Sequence, residues 1–295
     1  MNETTLRFAP VRRAALGPFP LALAVAFATH LSAGVNAWSP IGPAGTEVLA
    51  LAVSPVSSST IVAGTSTGYS VTRNGGDSWS AVSTGYSTAA IAFDPANASI
   101  VYAATGGALA RSADGGTTYT PVLLESATCL AIDPSSPLVV YAGTTDHVYK
   151  SVDRGLTWNV VYTGVGHMFV NAIAVDPSSP QTIWAASTFG GLMKSTNGGA
   201  SWGPVTGGIP MSVSSIAVHP SASSTVLLLG MDGVYRTTDG GASWSRVTNL
   251  WGSDGELVAD RAAPGTFYAS GSDGVTFSAD GGATWNHLES GLTNL

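Results

Sequence analysis

Short apolar runs alternate with clusters of Gly, Ser, Asn and Asp along most of the chain. One unit recurs six times, and its best copies read IAVDPSSPQTIWAASTFGGLMKSTNGGASWGPV (173–205) and LAIDPSSPLVVYAGTTDHVYKSVDRGLTWNVV (130–161). Each unit holds four short runs rich in β-branched and aromatic residues, which predict four antiparallel strands, A to D. Four such strands in a period of roughly 40 residues are typical of one blade of a β-propeller.

The spacing inside the units is nearly constant. The residue that opens the A–B turn precedes the aromatic that closes the C–D turn by 25 residues in five units and by 26 in the fourth, which has the extra glycine of Gly190-Gly191. The linkers between units vary from 14 to 18 residues. The sequence therefore predicts a single all-β propeller domain over 38–295, with repeats at 49–82, 91–122, 130–161, 173–205, 216–247 and 257–288.

The C–D turn carries the most specific motif, Ser/Thr-x-Asp/Asn-x-Gly-x-Ser/Thr-aromatic. A short Asp or Asn side chain accepts hydrogen bonds from its own turn, and glycine supplies a positive φ. The acidic or amide position falls at Asn74, Asp114, Asp153, Asn197, Asp239 and Asp280. The closing aromatic, expected to pack under the hairpin, falls at Trp79, Tyr119, Trp158, Trp202, Trp244 and Trp285.

This motif resembles the Asp-box, or BNR, repeat of sialidases, xyloglucan-active endoglucanases, sortilin-type receptors and photosystem II assembly factors. The resemblance covers 49–288. It implies a β-propeller in which the box residues are structural and lie away from the active site. It does not imply one particular activity.

The first 37 residues predict a secretory signal peptide. Arg7, Arg12 and Arg13 precede an apolar stretch at 14–31, and small residues then lead to a cleavage site after Ala37. The apolar run is shorter than a membrane span requires. We therefore expect cleavage, a secreted or periplasmic mature chain, and no stable membrane span after cleavage.

The segment WSPIG at 38–42 predicts an isolated strand D. Trp38 precedes Ser54 by 16 residues, an ordinary distance from the closing aromatic to the next turn. Because the sixth repeat has its own strand D at Trp285–Leu288, two arrangements stay open. One is a six-bladed ring with a spare strand at an edge. The other is a seven-bladed design that lacks strands A to C of one blade, leaving a gap between the first and sixth repeats.

Composition and charge exclude several classes of partner and cofactor. Charged residues make up 10% of the chain, the net charge is −7, and Cys129 is the one cysteine. This acidic balance argues against a nucleic-acid partner, and a single cysteine excludes an internal disulfide framework. No phosphate-binding loop or metal-ligand spacing stands out, so we expect no cofactor and no metal.

Function is expected where the D–A loops and B–C turns meet, because the variable lengths lie there. The candidate ligand-binding residues of this face are Tyr86, His167, Phe169, Phe189, Met211 and Trp251. Glycoside hydrolysis needs two carboxyl groups across one bond. The non-repeat acids that could pair are Glu47, Asp254 and Glu256.

The basic residues do not complete a known catalytic set. Sialidases, by resemblance, use three arginines, and only Arg246 and Arg261 lie outside the C–D turns and their approaches. We therefore expect a secreted, non-catalytic propeller that binds a glycan or an extracellular protein. The alternatives are a glycoside hydrolase of the sialidase or xyloglucanase type, or a fragment of one, and an extracytoplasmic assembly factor resembling those of photosystem II.

Overall fold

The computed structural model describes residues 41–164, 169–188, 190–210, 212–249, 255–271 and 274–288. Within them the protein is all-β, with six four-stranded antiparallel sheets that form a six-bladed β-propeller. Each sheet uses four consecutive strands in the order A-B-C-D, so the predicted fold class is confirmed. The predicted signal peptide and Trp38 lie outside the described residues. No described segment forms a helix long and apolar enough to cross a membrane.

The strand bounds follow the six predicted repeats closely. Blades 1 to 3 consist of β1 (Val48–Ser54), β2 (Ser57–Thr65), β3 (Gly68–Thr72), β4 (Ser80–Ser83), β5 (Thr88–Asp94), β6 (Asn97–Thr105), β7 (Leu109–Ser112), β8 (Thr120–Leu123), β9 (Ala127–Ile132), β10 (Val140–Thr144), β11 (His147–Ser151) and β12 (Asn159–Thr163). Blades 4 to 6 consist of β13 (Val170–Val175), β14 (Ile183–Ser187), β15 (Gly191–Ser195), β16 (Gly203–Val205), β17 (Val213–Val218), β18 (Val226–Gly230), β19 (Gly233–Thr237), β20 (Ser245–Thr248), β21 (Leu257–Ala259), β22 (Phe267–Gly271), β23 (Gly274–Ser278) and β24 (Asn286–His287).

Burial falls from the second strand of a blade to its outermost strand. Strands B such as β14 and β18 are buried along their whole length, because both faces of the sheet are covered by neighbouring blades. Strand D of blade 1, β4, is exposed throughout. This explains why strands B read as continuous apolar runs.

Apolar clusters hold neighbouring blades together. Trp184 of blade 4 and Leu228 of blade 5 belong to one such cluster, in which the rings of Trp184 and Trp244 meet edge to face at 6.1 Å. Equivalent clusters join blades 1 and 2, 2 and 3, 3 and 4, and 5 and 6. The innermost strands contact one another in the same order from β1 to β21.

The segment before β1 takes the place of a preceding strand D. In blade 4 the Trp202 indole donates to the carbonyl of Val161, in strand D of blade 3. In blade 1 the Trp79 indole donates to the carbonyl of Ile41. In the sequence Ile41 comes three residues after Trp38, just as Val161 comes three residues after Trp158. Among the described residues no apolar cluster is shared by blades 6 and 1. The seven-bladed design stays a prediction.

Candidate functional site

The propeller has two chemically different faces. The D–A loops and B–C turns form one, which we call the loop face, and the A–B and C–D turns form the other, the turn face. Hydrogen bonds from Ser66 N to Glu47 O (3.2 Å) and from Thr188 N to Phe169 O (3.1 Å) join D–A loops to B–C turns. Of the residues expected to bind ligand, the two that the structure describes, Tyr86 and Phe169, therefore lie at the opposite end of the blades from the C–D turns.

On the turn face each acid or amide of the motif caps its own C–D turn. In blade 2, Asp114 Oδ1 accepts hydrogen bonds from the backbone N–H groups of Thr117 (3.0 Å) and Thr118 (2.8 Å), and Ser112 Oγ donates to the same oxygen at 2.7 Å. The Thr118 hydroxyl donates to Oδ2 at 2.6 Å. These bonds favour the ionised form and lower the pKa of Asp114 to about 2. Its carboxylate is thereby engaged inside its own turn.

A basic side chain at the end of strand C links most blades to the next. Lys150 Nζ donates to Gly198 O at 2.7 Å, Lys194 Nζ to Gly240 O at 2.8 Å, and Arg236 Nε to Gly281 O at 2.7 Å. Each acceptor is a carbonyl in the C–D turn of the following blade. In blade 6 the corresponding residue is Phe277, which packs near the ring of Tyr268 at 6.4 Å. These cationic side chains therefore stabilise the contacts between neighbouring blades.

The loop face of blade 3 brings together three polar side chains. The Tyr149 hydroxyl donates to Glu125 Oε1 at 2.5 Å, and Glu125 Oε2 lies 3.6 Å from His147 Nδ1. The His147 and Tyr149 rings meet edge to face at 5.6 Å. Burial, and next the bond to Glu125, raise the pKa of Tyr149 to about 12. Because Glu125 and His147 stay partly exposed, the cluster offers a carboxylate and an imidazole to a ligand.

Blade 5 carries a related arrangement. The Tyr235 hydroxyl donates to Asp232 Oδ2 at 2.9 Å, and Arg246 Nη1 pairs with the same oxygen at 3.1 Å. Tyr149 and Tyr235 occupy the same place in their repeats, two residues into strand C. Neither tyrosine is among the candidate residues predicted from the sequence. Their shared register in the repeat is the signal that could have identified them.

The predicted ligand-binding residues are only partly described. Tyr86 is 55% exposed, and its ring lies against Gly107, where an added Cβ would come within 3.1 Å of it. Phe169 is half-buried on the same face. The remaining four candidates lie outside the described residues, namely His167, Phe189, Met211 and Trp251.

The three candidate catalytic acids do not form a described pair. Glu47 is half-buried ahead of β1, and Asp254 lies outside the described residues. Glu256 directly precedes β21, at a position of the repeat that holds a small residue in the other blades, such as Ala172 or Ser215. Burial raises the pKa of Glu256 to about 8, and its Oε2 has no hydrogen-bond partner. Among the described residues no group of three His, Cys, Asp or Glu side chains could hold a metal ion.

No protein-family model matches this chain, and no curated protein matches it. Solved structures share its fold. An ancestral GH74 enzyme is 20% identical with a TM-score of 0.70, over 88% of this chain and 39% of that one. The GH74 xyloglucanase from Xanthomonas campestris is 16% identical with a TM-score of 0.56, over 83% of this chain and 52% of that one.

A structure of YCF48 bound to a D1 peptide is 16% identical with a TM-score of 0.62, over 83% of this chain and 81% of that one. This chain therefore spans 39% and 52% of the two GH74 structures but most of the YCF48 structure. At these identities the similarity shows the propeller fold alone.

Proposed function

We propose that this chain is a secreted, non-catalytic propeller whose loop face binds an extended segment of a partner protein. The observation that carries the proposal is the Glu125–His147–Tyr149 cluster. Its carboxylate is held by a tyrosine and its histidine is partly exposed. Such a group suits hydrogen bonding to a ligand, since a carboxylate and an imidazole are both partly exposed within it.

The charge distribution supports a neutral or basic partner. All but one of the lysine and arginine residues that the structure describes lie on the turn face or point to it, and the exception, Arg246, is paired with Asp232. The loop face carries Glu47, Glu125 and Asp232. An acidic surface of this kind attracts cationic groups and repels anionic glycans such as sialosides.

The share of the two chains that matches in the comparison with YCF48 supports the same proposal. The YCF48 structure contains a bound peptide and matches this chain over most of both lengths. The proposal thus includes the assembly-factor interpretation of the sequence, in which the propeller holds a segment of another protein.

A peptide array and a glycan array probed with the purified protein test the proposal. We expect peptides to bind, and we expect Glu125→Gln and Tyr149→Phe to weaken that binding at least tenfold. Asp114→Asn on the turn face is the matched control and should leave binding unchanged. Equal binding by all four proteins, or binding to glycans alone, would contradict the proposal.

A glycoside hydrolase is the second candidate, and Glu256 favours it. A buried carboxyl with a raised pKa is what a general acid needs at neutral pH. Incubation with xyloglucan and measurement of released reducing ends test this candidate. Turnover that is lost in Glu256→Gln while the variant unfolds at the wild-type temperature would replace the first proposal with the second.

A further inference from the structure

The turn face of blade 3 exposes three large apolar side chains within one C–D turn and the A–B turn beside it. Leu138 is 47% exposed, Val152 59% and Leu156 63%. The backbone N–H of Arg154, between the last two, donates to Leu138 O at 2.9 Å. We call these three residues the blade-3 patch. Val160, 47% exposed on β12, lies in the outer strand of the same blade.

The other five blades show that the fold does not require this patch. The backbone bond that Leu138 accepts is accepted in the other blades by Ser59, Ser99, Gln181, Ser224 and Gly265. The place of Val152 is taken by Arg73, Ala113, Thr196, Thr238 and Ala279. The place of Leu156 is taken by Asp77, Thr117, Ala200, Ala242 and Ala283. Six repeats share one backbone, and in blade 3 alone all three positions are large and apolar.

The charged groups inside the patch are already engaged. Asp153 accepts the Ser151 hydroxyl (2.7 Å), the Leu156 N–H (3.0 Å) and the Thr157 hydroxyl (2.6 Å). Arg154 Nε lies 3.1 Å from Asp94 Oδ2, whose side chain is fully buried. The Asp153 carboxylate keeps its negative charge but is held within the turn by neutral donors. The surface therefore presents three apolar side chains beside one anchored carboxylate, which favours an apolar partner.

The size of the patch decides what kind of partner fits. It exposes roughly 300 Å², comparable to the largest apolar patch on a typical monomer and often functional. A stable homodimer buries about 800 Å² on each copy, which is far more. We propose that the blade-3 patch docks a short apolar segment of another protein, on the face opposite the loop-face site.

Panning a phage-displayed library of 12-residue peptides on the full chain tests the proposal. The counter-target is the triple variant Leu138→Ser, Val152→Thr, Leu156→Ala, which uses residues found at these positions in other blades and so should fold. We expect enriched peptides rich in Leu, Ile, Val or Phe, with at least tenfold weaker binding to the triple variant. The loop-face variant Glu125→Gln should bind them like the wild type, which separates this site from the proposed loop-face site.

Two results would overturn the proposal. If no peptide distinguishes the wild type from a triple variant with the same circular dichroism spectrum, the patch binds no such segment. If sedimentation shows that the wild type dimerises and the triple variant does not, the occupant is a second copy of this chain instead.

Discussion

Arg154 stands where the other five C–D turns have glycine, and its replacement tests how backbone strain competes with an ion pair. Its φ is +59°, the one positive φ of a described residue other than glycine. The left-handed conformation costs a residue with a side chain roughly 1–2 kcal/mol. Against this cost, the guanidinium pairs with Asp94 at 3.1 Å.

Blade 4 indicates how much the ion pair between Arg154 and Asp94 contributes to stability. Asp94 Oδ1 accepts the backbone N–H groups of Ala96 (2.8 Å) and Asn97 (3.1 Å). Asp176 is equally buried, accepts two equivalent backbone bonds, and has no hydrogen-bond partner at Oδ2. The fold therefore tolerates this buried carboxylate without an arginine. With the arginine partly exposed, we take the pair to contribute about 1 kcal/mol.

Two substitutions at Arg154 separate the cost of the backbone strain from the contribution of the ion pair. Arg154→Gly removes the pair and the strain together, so the free energy of unfolding should change by less than about 1 kcal/mol. Arg154→Ala removes the pair and keeps the strain, so it should be less stable than the glycine variant by about 1 kcal/mol. Urea unfolding followed by tryptophan fluorescence measures both.

Gly240→Ala is the matched control, because Gly240 has a φ of +70° and no ion pair is involved. It should lose about as much stability as separates the two Arg154 variants. Equal stability of Arg154→Ala and Arg154→Gly would refute the strain argument. A loss of more than about 3 kcal/mol in Arg154→Gly would show that the buried pair dominates.

Three further predictions concern the turn face. Asp280→Asn should change stability little, since two blades have asparagine there, whereas Asp280→Ala should cost about 1 kcal/mol in urea unfolding; equal losses would show that the cap is unimportant. Hydrogen bonds within the turns hold the pKa of Asp114, Asp153 and Asp280 at about 2. The ordinary pKa of an aspartate is near 4. Their stabilisation is therefore complete above about pH 4 and is lost as the pH falls towards 2, and thermal melts at stepped pH should show this decline. Arg236→Met should lower the melting temperature through the lost bond to the next blade, while Arg261→Met, at an exposed turn position, should not; equal effects would contradict the inter-blade role.

The sequence by itself determined the blade. The turn motif, the constant 25-residue interval and the short apolar runs are local, because each acid bonds to N–H groups no more than four residues away, as Asp114 does with Thr118. Local hydrogen bonds leave a signature in the spacing of residues. Six copies of that signature predict six sheets without any knowledge of how the sheets pack.

Only the tertiary structure decided which side chains meet across that scaffold. Glu125 and Tyr149 are 24 residues apart and belong to different parts of the repeat, and Lys194 reaches a carbonyl 46 residues away. The exposure of Leu156 also depends on which face of the ring its turn occupies. The register of the repeat is set by contacts along the chain, but contacts between blades are set by the packing of whole sheets, which no short interval of sequence encodes.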